Sequence, residues 1–229
     1  MATGDVKLLG AWASPFAMRP RIALNLKNVD YKYLEQNLGG KDELLLKSNP
    51  VHKKVPVMIH KDKPICESLV IVQYIDEAFT SGPSILPSDS YDRAIARFWA
   101  AYIDDKWCAS LFSIARAKTD EEKATAVGGV TTGLGLLEQA FKKLSKGKGF
   151  FGGETIGYID IALGSYLGWL RAAETLAGSK YIDETTTPNL TVWAERFCSD
   201  AAVQDLMPES EKLLDFAKML LSGKFDPPK

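Results

Sequence analysis

The 229-residue sequence contains little of what several kinds of functional site require. Its three cysteines, Cys66, Cys108 and Cys198, are odd in number and far apart, so neither a disulfide framework nor a CxxC redox pair is indicated. Only two histidines, His52 and His60, are present, which argues against a histidine-rich metal site. We therefore expect three reduced thiols and no bound metal.

An excess of charge of one sign is also lacking, because 28 basic and 29 acidic residues leave a formal net charge of −1. This balance gives no reason to expect a nucleic acid or an anionic membrane as a partner. No apolar run has the length of a membrane-spanning helix. The N-terminal residues lack the basic and then apolar pattern of a secretion signal. We therefore expect a cytoplasmic protein.

Alternating strand and helix signals characterise the first third of the chain. The predicted elements are strands over 6–9, 31–34, 55–59 and 64–66 and helices over 15–27, 42–47 and 67–78. The order is therefore βαβαββα, and we predict an α/β domain over 1–79. A turn-rich segment over 80–89 predicts a linker. Beyond it, apolar residues recur at helical spacing without a convincing strand pair, which predicts an all-α domain over 90–229.

Ser14 lies where the first predicted helix begins. Gly10 ends the preceding strand, and Pro15 occupies the first helical position, where its missing N–H costs nothing. The start of a helix offers unpaired N–H groups and the positive end of the helix dipole. An anion, or a thiol that is losing its proton, would be stabilised there. A simple helix cap is the alternative role for this serine, and the residue alone does not decide between them.

Two further pairs suggest contacts to an extended ligand. A proline at the start of a strand, as in Val55–Pro56, has no backbone N–H to donate to the hydrogen-bond ladder of the sheet. If the bond were cis, the Val55 N–H and C=O would be left to pair with the ligand, although the sequence alone favours trans. Glu67 and Ser68 begin the third helix, where they would receive an ammonium group and a carboxylate, respectively. A second helix cap is the alternative for this pair.

Lys41 and Lys54 could contact a second carboxylate, although solvent-exposed lysines are the simpler interpretation. Combined with Ser14, Val55 and Glu67–Ser68, they describe one ligand. It would be a short extended peptide with a free thiol, an α-amino-acid end and a further carboxylate. Glutathione has this pattern of groups.

A different motif is interpreted as structural. Gly157 can cap a helix whose third residue is Asp160, and a carboxylate at that position reaches back to the open N–H groups of the first turn. Because the run that follows is strongly apolar, we expect Asp160 to be buried and hydrogen-bonded. We predict that this motif serves folding and not catalysis.

Several segments together resemble the cytosolic glutathione transferases, and specifically the tau class of plants. They are, in chain order, Ser14-Pro15-Phe16 with Arg19 and Arg21, Asn49-Pro50-Val51-His52-Lys53-Lys54-Val55-Pro56-Val57, Glu67-Ser68, Arg97-Phe98-Trp99 with Tyr102-Ile103-Asp104, and Gly157-Tyr158-Ile159-Asp160-Ile161-Ala162. The resemblance implies a thioredoxin-like N-terminal domain, a helical C-terminal domain, a cis bond before Pro56 and a homodimer. It also implies conjugation of glutathione to hydrophobic electrophiles in detoxification, with peroxide reduction as a further activity.

The resemblance also assigns roles to individual residues. Ser14 becomes the catalytic hydroxyl, and Phe16 and Trp169 become walls of the electrophile site. Cys108 and Phe112 fall in that site too, where related enzymes often carry polar or bulky residues, so substrate preference does not transfer. The residues implied to bind glutathione are Ser14, Lys41, Lys54, Val55, Glu67 and Ser68. Arg19 and Asp104 are implied to form a charge network with Glu67 and Ser68.

Two alternative functions stay open at this point. A glutathione-dependent thiol-disulfide reductase needs a redox cysteine at the start of the first helix, where this chain has Ser14. A non-catalytic carrier of hydrophobic ligands could use the same apolar pocket, although the intact Ser14 favours catalysis. Serine is too weak a base to remove the thiol proton, so we expect its hydroxyl to donate a hydrogen bond to the thiolate, which is the nucleophile.

Overall fold

The computed structural model describes residues 5–37, 40 and 42–221. The chain divides into two compact units. The first comprises the chain up to Ser84 together with the segment from Asp215 onward, and the second comprises Ile85–Leu214. Helix α10, which runs from Ser210 to Leu221, therefore begins in the second unit and ends in the first.

The first unit is built on a four-stranded mixed sheet with the strand order β2-β1-β3-β4. Strand β1 pairs with β2 in parallel and with β3 antiparallel, and β3 and β4 form an antiparallel hairpin. The elements are β1 Val6–Gly10, α1 Pro15–Leu26, β2 Lys32–Glu35, α2 Glu43–Ser48, β3 Val57–His60, β4 Lys63–Cys66 and α3 Ser68–Ala78. The predicted order βαβαββα is thus confirmed, and the fold is thioredoxin-like.

Successive side chains of the central strands β1 and β3 point to opposite faces of the sheet, so the core of this unit has two layers. Leu9 and Val57 pack with Leu45 of α2 on one face of the sheet. Leu8 and Met58 are opposite each other in the register of β1 and β3, and both are fully buried. Because successive side chains of a strand point to opposite faces, this second pair faces away from the Leu45 cluster.

The third strand begins two residues later than predicted, at Val57 instead of Val55. The proline at position 56 has no N–H to donate to a ladder, so the residues before Val57 remain outside the sheet. This difference matters for function, because it leaves Val55 in the loop that leads into β3.

The second unit consists of helices. They are α4 Ser90–Tyr102, a π-helical segment Ile103–Trp107, α5 Cys108–Arg116, α6 Asp120–Leu144, α7 Tyr158–Gly164, α8 Leu167–Ala177, α9 Pro188–Ser199, a 3₁₀ turn Gln204–Leu206 and the start of α10. Within the described residues the only β pairing in this unit is an isolated bridge between Phe150 and Gly153. The prediction of a helical second domain is confirmed.

Asp160 holds together three segments of this unit, as expected for a folding motif. Its carboxylate accepts the N–H groups of Phe151 (2.9 Å), Gly152 (3.0 Å) and Gly157 (2.9 Å), and the indole N–H of Trp193 (2.7 Å). Burial raises the pKa of Asp160 to about 6, while these four donors act in the opposite direction. The motif is a helix start with Gly157 at the cap, as predicted.

Membrane-spanning helices and metal-ligand clusters are both absent from the part of the chain that the structure describes. No helix there is both long and apolar enough to cross a membrane. No cluster of three or more histidine, cysteine, aspartate or glutamate side chains in the same ranges could hold a metal ion.

Candidate active site

Ser14 caps α1 as predicted and keeps a hydrogen to donate. Its backbone is extended, and its Oγ accepts the N–H of Ala17 at 3.2 Å. A serine hydroxyl that accepts one hydrogen bond still has its own O–H donor. The side chain is half-buried. The cap and the proposed catalytic donor are therefore compatible roles for one hydroxyl.

A pocket of about 280 Å³ in the first unit brings together most of the residues expected to bind glutathione. It is lined by Phe16, His52, Lys54, Val55, Pro56, Glu67 and Ser68. Ser14 does not line this pocket, although Phe16, two residues further along α1, does. Lys41 lies outside the described residues.

The loop that carries Lys54 and Val55 is held by Asn49, which is 3% exposed. The Asn49 amide donates from Nδ2 to the carbonyl of Lys54 at 3.0 Å and accepts the N–H of His52 on Oδ1 at 3.0 Å. The Asn49 carbonyl also accepts the N–H of Lys53 at 2.8 Å. One buried residue at the end of α2 thus sets the path of the chain into the pocket.

Val55 follows this loop, and its bond to Pro56 is cis, as the resemblance implied. Val55 is half-buried and lines the pocket. Within the described residues its N–H meets no hydrogen-bond partner. A buried or half-buried amide tends to be satisfied, so this N–H is suited to pairing with the backbone of a bound peptide.

Ser68 begins α3 and is linked to a fully buried arginine. The Arg19 guanidinium donates from Nη1 to Ser68 Oγ at 3.1 Å, and its central carbon lies 5.1 Å from the centre of the Phe16 ring. A buried cation is costly unless polar or aromatic partners compensate it. Arg19 therefore brings positive charge to the side of the pocket where a ligand carboxylate is expected.

Glu67 adopts a backbone conformation that is unusual for a residue other than glycine, with φ 70° and ψ 117°. Such conformations cost about 1–3 kcal/mol and occur often at binding sites. The Glu67 side chain is 63% exposed, and its Oε1 lies 3.7 Å from Nε2 of His52. The sequence did not predict a role for His52. The only feature of the sequence that pointed to such a role is the position of His52 three residues before Val55.

In the second unit, the aromatic residues expected near the electrophile are in contact. Phe112 and Trp169 stack edge to face with their ring centres 5.8 Å apart, and Tyr166 packs on Phe112 at 6.1 Å. Cys108 is buried one turn before Phe112 in α5. Phe16 belongs to the first unit.

Asp104, the predicted member of a charge network, lies in the π-helical segment. Its Oδ1 accepts the hydroxyl of Tyr166 at 3.1 Å. Sequence reasoning missed this tyrosine, because 62 residues separate it from Asp104 and no local pattern connects them. Single-turn π segments inside helices are frequent at functional sites, which fits the position of Asp104.

Comparison with known families gives matches in both units. The profile of the glutathione S-transferase N-terminal domain matches residues 4–77. A glutathione S-transferase C-terminal domain profile matches residues 89–196. Among the curated relatives, glutathione S-transferase U18 of Arabidopsis thaliana is 62% identical over 221 residues, with 96% of this chain and 97% of the relative covered.

Solved structures agree with the sequence matches. The tau class glutathione S-transferase of mango is 65% identical and has a TM-score of 0.92, with 94% of this chain and 98% of the mango chain covered. Rice GST1 in complex with glutathione is 37% identical, with a TM-score of 0.88 and coverage of 96% and 97%. The similarity therefore extends over both units.

Proposed function

Since the chain belongs to the glutathione S-transferase family, and within it to the tau class, we propose which of its residues carry out glutathione conjugation. Ser14 is the catalytic hydroxyl in this proposal. The observation that supports it is the cap geometry, in which Ser14 Oγ accepts the Ala17 N–H and its own O–H remains available to a sulfur atom at the start of α1.

The chemistry required of Ser14 is stabilisation of a thiolate. A free cysteine thiol has a pKa of roughly 8.5, so only a few per cent is ionised at neutral pH. A hydrogen bond from Ser14 and the positive end of the α1 dipole both favour the anion over the thiol and lower the thiol pKa. The thiolate sulfur then forms a bond to the electrophilic carbon, and the leaving group departs with its electron pair.

We assign the remainder of glutathione to the pocket of the first unit. Val55 would pair with the peptide backbone, and Lys54 would contact the glycine carboxylate. Glu67 would receive the γ-glutamyl ammonium group, and Ser68, beside buried Arg19, the α-carboxylate. Lys41 is proposed to assist at the glycine end.

For the electrophile, we propose an apolar wall of the second unit formed by Cys108, Phe112 and Trp169, and we propose Phe16 as the wall residue that the first unit contributes. The edge-to-face contact between Phe112 and Trp169 supports this assignment, because stacked aromatic rings offer a stiff apolar wall. Arg19, Glu67 and Ser68 of the first unit are proposed to form a charge network behind the γ-glutamyl group.

The proposal includes three further properties: a second activity, a location and an oligomeric state. The glutathione thiolate is also a nucleophile toward hydroperoxides, so we include peroxide reduction as a second activity. We propose a cytoplasmic location, in keeping with the balanced charge of the sequence. We also propose a homodimer, supported by exposed aromatic residues on α4.

Replacement of Ser14 tests the central assignment. We expect Ser14→Ala to lower kcat for conjugation of an activated aryl halide by about 10²-fold, with the KM for glutathione changed less than threefold, because the lost hydrogen bond acts on the thiolate. Ser14→Thr, which keeps a hydroxyl, should retain more activity, and Ser113→Ala on an exposed helix face is the matched control.

The outcome of this test also separates the alternatives. Wild-type turnover by Ser14→Ala would remove Ser14 from the mechanism. We expect Ser14→Cys to gain reduction of mixed disulfides at the expense of conjugation, because a thiol then stands at the helix start. Tight binding of hydrophobic ligands by the wild-type protein without measurable conjugation would instead support a carrier.

A further inference from the structure

A second pocket lies entirely within the second unit, between α8, α9 and the loop over residues 178–182. Its volume is about 470 Å³, which is larger than the 280 Å³ of the pocket assigned to glutathione. Leu167, Leu170 and Ala194 contribute its apolar lining, and all three are buried. This volume lies within the range of about 300–1,000 Å³ that is typical of small-molecule sites, and most of the residues that line the pocket are polar or charged.

The loop side of this pocket is held in place by a buried carboxylate. Glu174 accepts the N–H groups of Tyr181 at 2.8 Å and Ile182 at 3.1 Å on Oε1. Its Oε2 lies 3.6 Å from Nζ of Lys180. Gly178 ends α8 in the left-handed conformation that glycine favours, with φ 65°. The wall is therefore preformed, and the charge of Glu174 is already engaged.

Two other charged side chains of the lining are not engaged in this way. Burial raises the pKa of the Cys198 thiol, and the positive charge of the Arg171 guanidinium, which carries five N–H donors, acts in the opposite direction. Glu195 lies three residues before Cys198 on α9 and therefore on the same face of that helix. Neither Arg171 nor Glu195 has an ion-pair partner among the described residues. The pocket thus presents one cation and one anion on neighbouring helices.

The hydroxyl groups of the lining add acceptors near these charges. Thr175 donates its hydroxyl hydrogen to the carbonyl of Arg171 at 2.9 Å, and Thr191 donates to the carbonyl of Thr187 at 3.0 Å. With their hydrogens used within their own helices, both oxygens offer only lone pairs to the pocket. Such acceptors suit an ammonium group better than a carboxylate.

We propose that this pocket binds a small zwitterion of the α-amino-acid type that carries an apolar substituent. The ligand carboxylate would contact Arg171, its ammonium group would face Glu195, and its apolar substituent would lie against the half-buried Ile182. A simple anion would be repelled by Glu195, and a simple cation by Arg171, so the pairing of charges selects against both.

Binding of three related compounds to the full-length protein tests this proposal. L-phenylalanine has both charges, 3-phenylpropanoate lacks the ammonium group, and 2-phenylethylamine lacks the carboxylate. We expect isothermal titration calorimetry to give a dissociation constant for L-phenylalanine at least fivefold below those of the other two. Amide chemical shifts measured by NMR should change around Arg171 and Glu195, and not around Phe16 and Ser68.

Variants of Arg171 and Glu195 test whether these two side chains provide the charged contacts to the ligand. Arg171→Gln and Glu195→Gln should each weaken L-phenylalanine binding by about tenfold, because each removes one charge-assisted contact. Arg196→Gln is the matched control, since Arg196 lies on the same helix but donates to the carbonyl of Gly149 at 2.8 Å, outside the pocket lining. Conjugation of glutathione should be unchanged in all three, so this proposal and the assignment of Ser14 fail or stand separately.

The possible sources of such a ligand are free apolar amino acids and S-alkyl conjugates of glutathione. Amide shifts in the α8–α9 pocket with S-hexylglutathione as well as L-phenylalanine would assign it to conjugates too, and shifts with L-phenylalanine alone would assign it to free amino acids. Equal affinity for the three phenyl compounds, absence of saturable binding, or full affinity in both charge variants would overturn the proposal.

Discussion

At the scale of the residue, Asn49 shows how one buried side chain shapes a binding pocket. It is not itself among the residues that line the pocket, yet its amide joins the start of the loop at His52 to its end at Lys54. These two hydrogen bonds satisfy backbone groups of residues 52–54, a segment without regular secondary structure, that would otherwise bind water. Their loss would let the residues that follow, including Val55, leave the geometry that a peptide ligand requires.

We therefore expect Asn49→Ala to raise the KM for glutathione by about tenfold while kcat changes less, because the ligand contacts and not the thiolate donor are disturbed. Asn49→Asp keeps the acceptor for His52 but loses the donor to Lys54, so its KM should lie between those of wild type and Asn49→Ala. Steady-state kinetics together with thermal unfolding provide the measurement. An unchanged KM in a folded Asn49→Ala protein would contradict the positioning role.

At the scale of the element, the start of α9 is stabilised by a residue 51 positions earlier in the chain. Glu138 of α6, whose side chain is 5% exposed, accepts the backbone N–H groups of Asn189 (3.3 Å) and Leu190 (2.9 Å) and the Asn189 side-chain amide (2.6 Å). The first N–H groups of a helix have no partner within that helix, and here another helix provides one. Burial opposes ionisation of Glu138, but these donors hold its pKa below the usual range.

This depressed pKa gives the sign of a pH effect. The folded state binds a proton at Glu138 less readily than the unfolded chain does, so its contribution to stability is present above the unfolded pKa of about 4.3 and is lost as pH falls through the lower folded value. We expect Glu138→Gln to lower the free energy of unfolding by about 1–3 kcal/mol at pH 7, and by progressively less below about pH 4.

Denaturant unfolding of wild type and Glu138→Gln across this pH range measures the effect. Glu121→Gln, at an exposed position in the first turn of the same helix, serves as a control for loss of a carboxylate. A difference in stability that stays constant from pH 7 to pH 3 would show that packing, and not the ionised carboxylate, gives Glu138 its effect.

At the scale of the whole molecule, the proposed homodimer depends on apolar side chains that the single chain leaves exposed. Tyr91 is 69% and Phe98 59% exposed, and both belong to α4. Residues seven positions apart lie on the same face of a helix, so the two rings form one exposed stripe. Aromatic residues in such a stripe are typical of protein–protein interfaces.

We expect wild type to elute as a dimer in size-exclusion chromatography with light scattering, and Phe98→Lys to shift it toward the monomer, because a lysine would place an uncompensated charge in the interface. Val192→Lys on α9, where the valine is 52% exposed, is the matched control and should leave the mass unchanged. A monomeric wild-type protein would remove the basis for the homodimer.

Short-range patterns in the sequence were sufficient to predict much of this protein. The cap at Ser14, the capping motif of Gly157 and Asp160, and the order of strands and helices all depend on residues within a few positions of one another. Turn and capping preferences act at that range, and so they can be recognised without a structure. The same patterns supported the resemblance to the glutathione transferases.

Only the tertiary structure decided which distant residues meet. The pairing of Glu138 with the start of α9 and of Asp104 with Tyr166 joins residues that lie 51 to 62 positions apart. No local preference encodes these contacts, because each forms only when two separately folded elements pack together and must satisfy buried polar groups.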